Sequence, residues 1–341
     1  MNTHTITKSM IGAAVARGIR EMERDPKRSV RRLADLGRQF SSSRFQELVF
    51  TIMQQLLANE QSSYYEMMEN LLKNTDHEAM KLFGVDLGYN VWTYGARVLR
   101  TLEEERGVAL PWVMLLQYDP TRADGLTAAA IEKIVAEGSA LGIYAYYIRQ
   151  CGAPSDSSAL PAIFAKYPDC AFVWLPAAGT LTQEQIGLLQ SSRNAMVCLP
   201  AEDRETLQTA AQLRAQKVLF GLCARYRADN WQEVCGAASF QTVTASQAAF
   251  FFLVAEDASR ACAGQFCYDS RLKQEYPCFV MDYYADARSI SRILADHDAL
   301  LEIGPDGRLV QPAERAGERF SLDKPLAEAL GEAMPKLKQK K

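Results

Sequence analysis

Histidine is scarce in this chain of 341 residues: only His4, His77 and His297 occur, far apart from one another. That scarcity removes any credible Ser-His-Asp ordering and any zinc-type His/Cys spacing. The eight cysteines (Cys151, Cys170, Cys198, Cys223, Cys235, Cys262, Cys267 and Cys278) include no CxxC pair and no CxxxCxxC triplet, and none precedes residue 151. Free thiols in a reducing compartment fit them better than a disulfide framework. No Gly-rich phosphate loop is present. No apolar run approaches the length of a membrane span and no signal-peptide core is seen, so a cytoplasmic location is the expectation. A net charge of −3 gives no general pull toward nucleic acid or membrane.

What is present is an ordinary globular composition, 48% hydrophobic and 23% charged, enough for a sizeable core. From residue 111 onward, short unbroken apolar runs alternate with amphipathic helices. Strands are expected at 111–117, 143–149, 170–176, 194–199, 217–224 and 249–255, with a helix at 127–141. Such runs are the pattern of parallel strands buried on both faces. Six strand–helix units predict an α/β fold, a partial (β/α)6 TIM-like barrel. A helix at 258–274, a seventh apolar run at 278–281 and a hairpin at 300–309 around Asp306-Gly307 follow. Thr75 with Glu78 and Thr182 with Gln185 read as capping boxes, and Asp203 and Asn230 as helix starts.

Residues 1–82 read as helical, with Ile11, Val15, Ile19 and Met22 on one stripe and Leu48, Val49, Ile52 and Met53 on another. Ten Lys/Arg against four Asp/Glu through residue 44 make this arm locally basic. The charges interleave with stripes that need a core, which favours a solvated helix face over an interaction arm. Without an aromatic platform beside the charge, nucleic-acid binding is not expected. In the connector 83–107, Gly84, Gly88 and Gly95 suggest tight turns, and Tyr89, Trp92 and Tyr94 suggest a seal between the helices and the barrel. The division expected is 1–107 helical region and connector, 108–257 barrel, 258–330 C-terminal extension and 331–341 basic tail.

The order of elements resembles the radical S-adenosylmethionine (SAM) superfamily. The resemblance covers most of the chain. It includes Leu141-Gly142-Ile143-Tyr144 entering strand two, Tyr167-Pro168-Asp169-Cys170 entering strand three, Leu219-Phe220-Gly221 in strand five and Tyr276-Pro277-Cys278-Phe279-Val280. Members carry CxxxCxxC after strand one, whose thiolates hold a [4Fe–4S] cluster that binds SAM. Here that loop is Gln117-Tyr118-Asp119-Pro120-Thr121-Arg122-Ala123-Asp124-Gly125, without cysteine. The family's Gly-Gly-Glu-Pro after strand two appears as Cys151-Gly152-Ala153-Pro154, so the carboxylate is missing. Thr-Asn-Gly after strand three appears as Ala177-Ala178-Gly179. Every match is a glycine, proline or core residue, and every loss is a polar or ligating group.

Those losses imply a scaffold kept without its cluster: a non-catalytic binding or regulatory pseudoenzyme with no cofactor. Its partner would be a protein or peptide, such as an active relative. The alternative is a divergent radical SAM enzyme, or a SAM-binding enzyme with other chemistry, holding SAM or a [4Fe–4S] cluster through non-standard ligands. Gly152, Pro154 and Gly179 are the vestigial SAM-site positions that the resemblance implies. Cys151, Cys198 and Cys223 lie at or near strand carboxyl ends and are the weak candidates for metal ligation; the bland reading is that free cysteines are small buried hydrophobes. Asp119, Arg122, Asp124 and Arg149 are charges expected near the mouth, and Asp282 and Asp286 follow the seventh run.

Overall fold

The computed structural model describes residues 3–39, 44–155, 157–256 and 262–337. The first residues of the helix expected at 258–274 and the last four of the basic tail lie outside the described residues. The chain opens with six α-helices: α1 (Thr3–Met22), α2 (Pro26–Gln39), α3 (Arg44–Leu57), α4 (Tyr64–Asn74), α5 (His77–Val85) and α6 (Ala96–Arg106). The π-helical segment Asp86–Gly95 runs from α5 into α6 without a break. There follow β1 (Val113–Tyr118), α7 (Ala128–Leu141), β2 (Ala145–Gln150), α8 (Ala159–Lys166), β3 (Ala171–Leu175), α9 (Gln183–Ser192), β4 (Ala195–Pro200), α10 (Thr206–Ala215) and β5 (Phe220–Tyr226). The rest comprises α11 (Trp231–Val234), α12 (Ala237–Ser246), β6 (Phe250–Ala255), α13 (Gly264–Lys273), β7 (Phe279–Asp282), α14 (Ala285–Ala295), β8 (Leu301–Ile303), β9 (Leu309–Gln311) and α15 (Leu326–Ala333).

The strands form one nine-stranded sheet in the order β7-β6-β5-β4-β3-β2-β1-β8-β9. Every pair is parallel except β8 with β9. This is the expected partial TIM-like barrel. Its six central strands are extended by β7 at one edge and by β8 at the other. The 300–309 hairpin exists as β8 and β9, and β8 also joins β1 in parallel, Leu115 opposite Glu302. Among the described residues β7 and β8 do not pair, so the curl stays open at that seam.

Alternation along each strand sorts the core. Outward-facing Tyr146 and Phe172 stack with ring centroids 5.6 Å apart, and Phe172 meets Phe164 of α8 at 4.5 Å. Inward-facing Tyr147 meets Phe252 at 6.2 Å, Tyr283 at 5.7 Å and Trp112 at 6.3 Å, filling the lumen with rings. Each fully buried ring or branched side chain contributes about 1.5–3 kcal/mol through apolar transfer. Such a filled interior is a packed core rather than a pore.

The first helices build their own small core from Ile19, Met22, Val30, Ala34, Leu57 and Tyr65. The connector glycines are corrected: Gly84, Gly88 and Gly95 lie in continuous helix, not in turns. Gly95 is required by close approach, because a Cβ there would lie 2.5 Å from the Gly142 carbonyl. Trp92 packs toward Trp112 at 6.4 Å and Tyr94 toward Tyr144 at 6.2 Å, joining the helical layer to the barrel. Lys8 ties α1 down by donating to Asp86 at 2.8 Å and Asp169 at 2.6 Å.

Two helix starts differ from expectation. The Thr75/Glu78 box is replaced by Asp76, whose side chain accepts from Ala79 N–H at 2.9 Å. Thr75 is already committed as the C-cap of α4, its N–H bonded to Leu71. Asp203 lies before α10 rather than at its cap, and its carboxylate accepts from Glu205 N–H at 3.0 Å. The Thr182/Gln185 capping box forms in full. No described helix is long and apolar enough to cross a membrane.

Candidate functional site

All eight parallel strands run the same way, so their carboxyl ends share one rim, the side on which barrel folds place their chemistry. The loop after β1 is braced by its own side chains. Asp119 accepts from Thr121 N–H at 2.9 Å and Thr121 Oγ1 at 2.7 Å, and these bonds hold its carboxyl below the usual range. Arg122 forks onto Asp124 at 3.2 and 3.0 Å. Asp119 and Asp124 therefore each have a separate partner and form no acid pair. The loop's end is pinned to the β8–β9 turn by Leu126 N–H on the Pro305 carbonyl at 3.1 Å.

After β2, Gly152 adopts φ +77°, a left-handed turn that glycine accepts freely. A Cβ there would lie 2.8 Å from the Asp119 carboxylate, so an acid sits directly beside this glycine. Pro154 continues the same loop. Gly179 is held differently: its N–H donates to Asp203 Oδ2 at 2.9 Å, and a Cβ would meet Thr206 Oγ1 at 2.4 Å.

The three cysteines proposed as ligands are placed apart in character. Cys151 is half-buried at the rim, with its Sγ 3.7 Å from Gln117 Oε1. Cys198 and Cys223 are buried on neighbouring strands, and the Cys223 thiol points to the Cys198 carbonyl at 3.4 Å. Desolvation pushes the Cys198 thiol well above its ordinary value, raises Cys223 to about 12 and raises Cys151 as well. Among the described residues no group of three or more His, Cys, Asp and Glu is arranged to hold a metal ion. An iron–sulfur cluster requires deprotonated thiolates converging on one point. This donor set does not fit it.

A polar network that sequence reasoning missed spans the inward face of the rim. Glu302 of β8 is fully buried, and its Oε1 accepts from Gln117 Nε2 and from Tyr284 Oη, each at 2.8 Å. Arg149 of β2 approaches the same oxygen at 3.8 Å. Arg225 of β5 stands two residues beyond inward-facing Cys223. Both guanidinium groups act on the Cys151 thiol, pulling its pKa down against the larger effect of desolvation. Strand alternation alone would have placed Arg225 in this set.

Asp282 and Asp286 are structural. Asp282 accepts from Tyr226 Oη at 2.9 Å, Tyr284 N–H at 3.0 Å and Ala285 N–H at 2.7 Å. Asp286 takes a fork from Arg271 at 2.8 and 2.9 Å.

No protein-family model matches the sequence, and no curated protein is similar to it at a meaningful level. Among solved structures, the chain is similar to Streptococcus suis SuiB bound to the precursor peptide SuiA, at 10% identity and TM-score 0.48 over 67% of each chain. It is similar also to SuiB bound to S-adenosylmethionine, at 9% identity and TM-score 0.49 over 67% of this chain and 66% of that one. A third SuiB crystal structure gives 10% identity and TM-score 0.48 over 69% and 68%.

Proposed function

We propose that this protein is a radical-SAM-like barrel that binds a partner or small molecule without running cluster chemistry. The observation that carries the reading is the donor set at the rim. The loop after β1 offers only Asp119, Thr121, Arg122 and Asp124, each already engaged within the loop. The nearby thiols are held protonated by burial. Anoxic reconstitution with iron and sulfide, followed by Mössbauer spectroscopy, tests it. The expected result is no stoichiometric cluster; a cubane in full occupancy overturns the reading.

One observation favours a second reading, SAM held without iron at Gly152, Pro154 and Gly179. The Asp119 carboxylate beside Gly152 supplies an acid where Ala153 lacks one. The Gly179 N–H counts against it, being bonded to Asp203 already. A thermal shift with SAM that D119N abolishes would support this second reading; no shift removes it.

For a protein or peptide partner, the helical layer is the surface we propose. Ile6 and Met10 of α1 and Leu48, Ile52 and Met53 of α3 are exposed apolar side chains. Ile6 with Met10, and Leu48 with Ile52, stand four residues apart, so each helix presents a short apolar stripe that a partner could cover. M10E and I52E should release a co-purifying partner while leaving the melting temperature unchanged.

A further inference from the structure

Two arginines at the barrel mouth are short of hydrogen-bond partners. A guanidinium carries five donors, and buried polar groups in native structures are nearly always paired. Arg149 has a side chain only 12% exposed, donates no hydrogen bond among the described residues, and has its Nε buried with no partner. Its one ion-pair contact is Glu302 at 3.8 Å, beyond hydrogen-bond reach. Arg225 is half-buried and has neither a hydrogen bond nor an ion pair among the described residues. Both stand near the carboxyl ends of their strands on the inward face. Arg149 follows Tyr147, which meets Phe252 and Tyr283 across the lumen. Arg225 follows Cys223, paired in register with Phe252. Both act on the Cys151 and Cys223 thiols, so the two cations share one region of the rim.

The acids around this pair leave its donors unused. Glu302 faces Arg149 as a counter-charge at 3.8 Å, but its Oε1 takes its hydrogen bonds from Gln117 and Tyr284. Asp119 is tied to Thr121, and Glu256 to Arg227 at 3.1 Å. Glu202, the acid that interacts electrostatically with Arg225, is exposed to solvent and makes no ion pair or hydrogen bond with it among the described residues. An arginine fork without an internal acceptor is complementary to a carboxylate or phosphate brought from outside.

We propose that Arg149 and Arg225 form a binding site for a small ligand bearing a carboxylate or phosphate group, seated at the carboxyl-terminal mouth of the barrel. This rests on the reading of the barrel as a binding module and names the chemistry of what it binds. Carboxylate and phosphate are two sources of the same anionic oxygens, and the test separates them.

Isothermal titration of the full-length protein with succinate, citrate, inorganic phosphate, pyrophosphate and SAM is the experiment. Expected is saturable binding by one class, weakened at least about tenfold by R225M and by R149K. The lysine in R149K keeps a positive charge beside Glu302 while removing the fork, so the variant should stay folded. R227M, whose arginine pairs with Glu256 on the outer rim, is the control and should bind as the parent does. Preference for succinate, citrate or SAM assigns a carboxylate ligand; preference for phosphate or pyrophosphate assigns a phosphate ligand. Absence of binding by every probe overturns the inference. So does binding that R225M and R149K leave intact, or that R227M weakens equally. A stoichiometric cluster in the separate iron reconstitution would instead overturn the binding-module reading.

Discussion

Tyr284 Oη donates to Glu302 Oε1 at 2.8 Å, and this bond spans the seam where the sheet does not close. Tyr284 follows β7, and Glu302 lies in β8 at the other end of the strand order. A side-chain bridge thus stands where a full barrel would have a backbone ladder. Y284F should leave a buried carboxylate with one donor fewer, at a cost of about 1–3 kcal/mol. Urea unfolding measures the loss, and hydrogen exchange should show the amides of β8 and β9 losing protection before those of β3 and β4. Equal protection loss throughout the sheet would show that the bridge has no local role.

Gly179 and Gly12 make opposite predictions for the same substitution. A Cβ at Gly179 would lie 2.4 Å from Thr206 Oγ1 and 3.0 Å from Asp203 Cβ, and Thr206 is itself fixed by its bond to the Pro200 carbonyl at 2.5 Å. G179A should therefore destabilise by about 1–3 kcal/mol through overpacking. Gly12 lies inside α1 with open space around it. G12A should be neutral or stabilising by up to about 1 kcal/mol, since alanine is the better helix former. Thermal melts of the two variants decide both claims.

Thiol reactivity should divide the cysteines by burial. Cys151 and Cys262 are half-buried and the other six are buried. Desolvation pushes Cys223, Cys235 and Cys278 up to about 12. Aromatic disulfide reagent at pH 8 should titrate no more than two thiols in the native protein and all eight after unfolding. Mass mapping that finds Cys198 or Cys223 among the fast thiols would contradict the packed lumen.

These sites show which parts of the structure were legible in the chain. Parallel strands buried on both faces leave unbroken apolar runs, and β1 to β6 fall within a few residues of their expected positions. The glycines in the connector misled because the same residue serves turns and close helix packing, and only the contact of Gly95 with Gly142 separates the two uses. The Thr75 cap misled because a better-placed competitor, Asp76, stands one residue on. The rim network was least visible. Gln117 and Glu302 are separated by 185 positions, and the short run around Glu302 announces a hairpin without announcing its second neighbour, β1. Arg149 could be placed near the mouth from the sequence, but its lack of hydrogen bonds is a property of packing alone.

The buried acid Asp86 gives the sharpest dependence on pH. It is fully buried, accepts from Lys8 at 2.8 Å and from Asn90 at 2.9 Å, and keeps one oxygen without a partner. Desolvation raises its carboxyl to about 7, and the opposing attraction of Lys8 offsets only part of that. In the unfolded chain an aspartate titrates near about 3.9. Between those two values the folded state holds a proton that the unfolded state has released. Asp86 therefore favours folding most at low pH, and this contribution is lost as pH rises from about 4 to about 7, levelling off above. The loss is of order a few kcal/mol at most. D86N removes the titration while keeping the shape. The difference in unfolding free energy between parent and D86N, followed by urea titration from pH 4.5 to 8, should drift against the parent by that amount and then flatten. A difference that stays constant across the range would mean that Asp86 is ionised throughout and that the Lys8 pair dominates its burial.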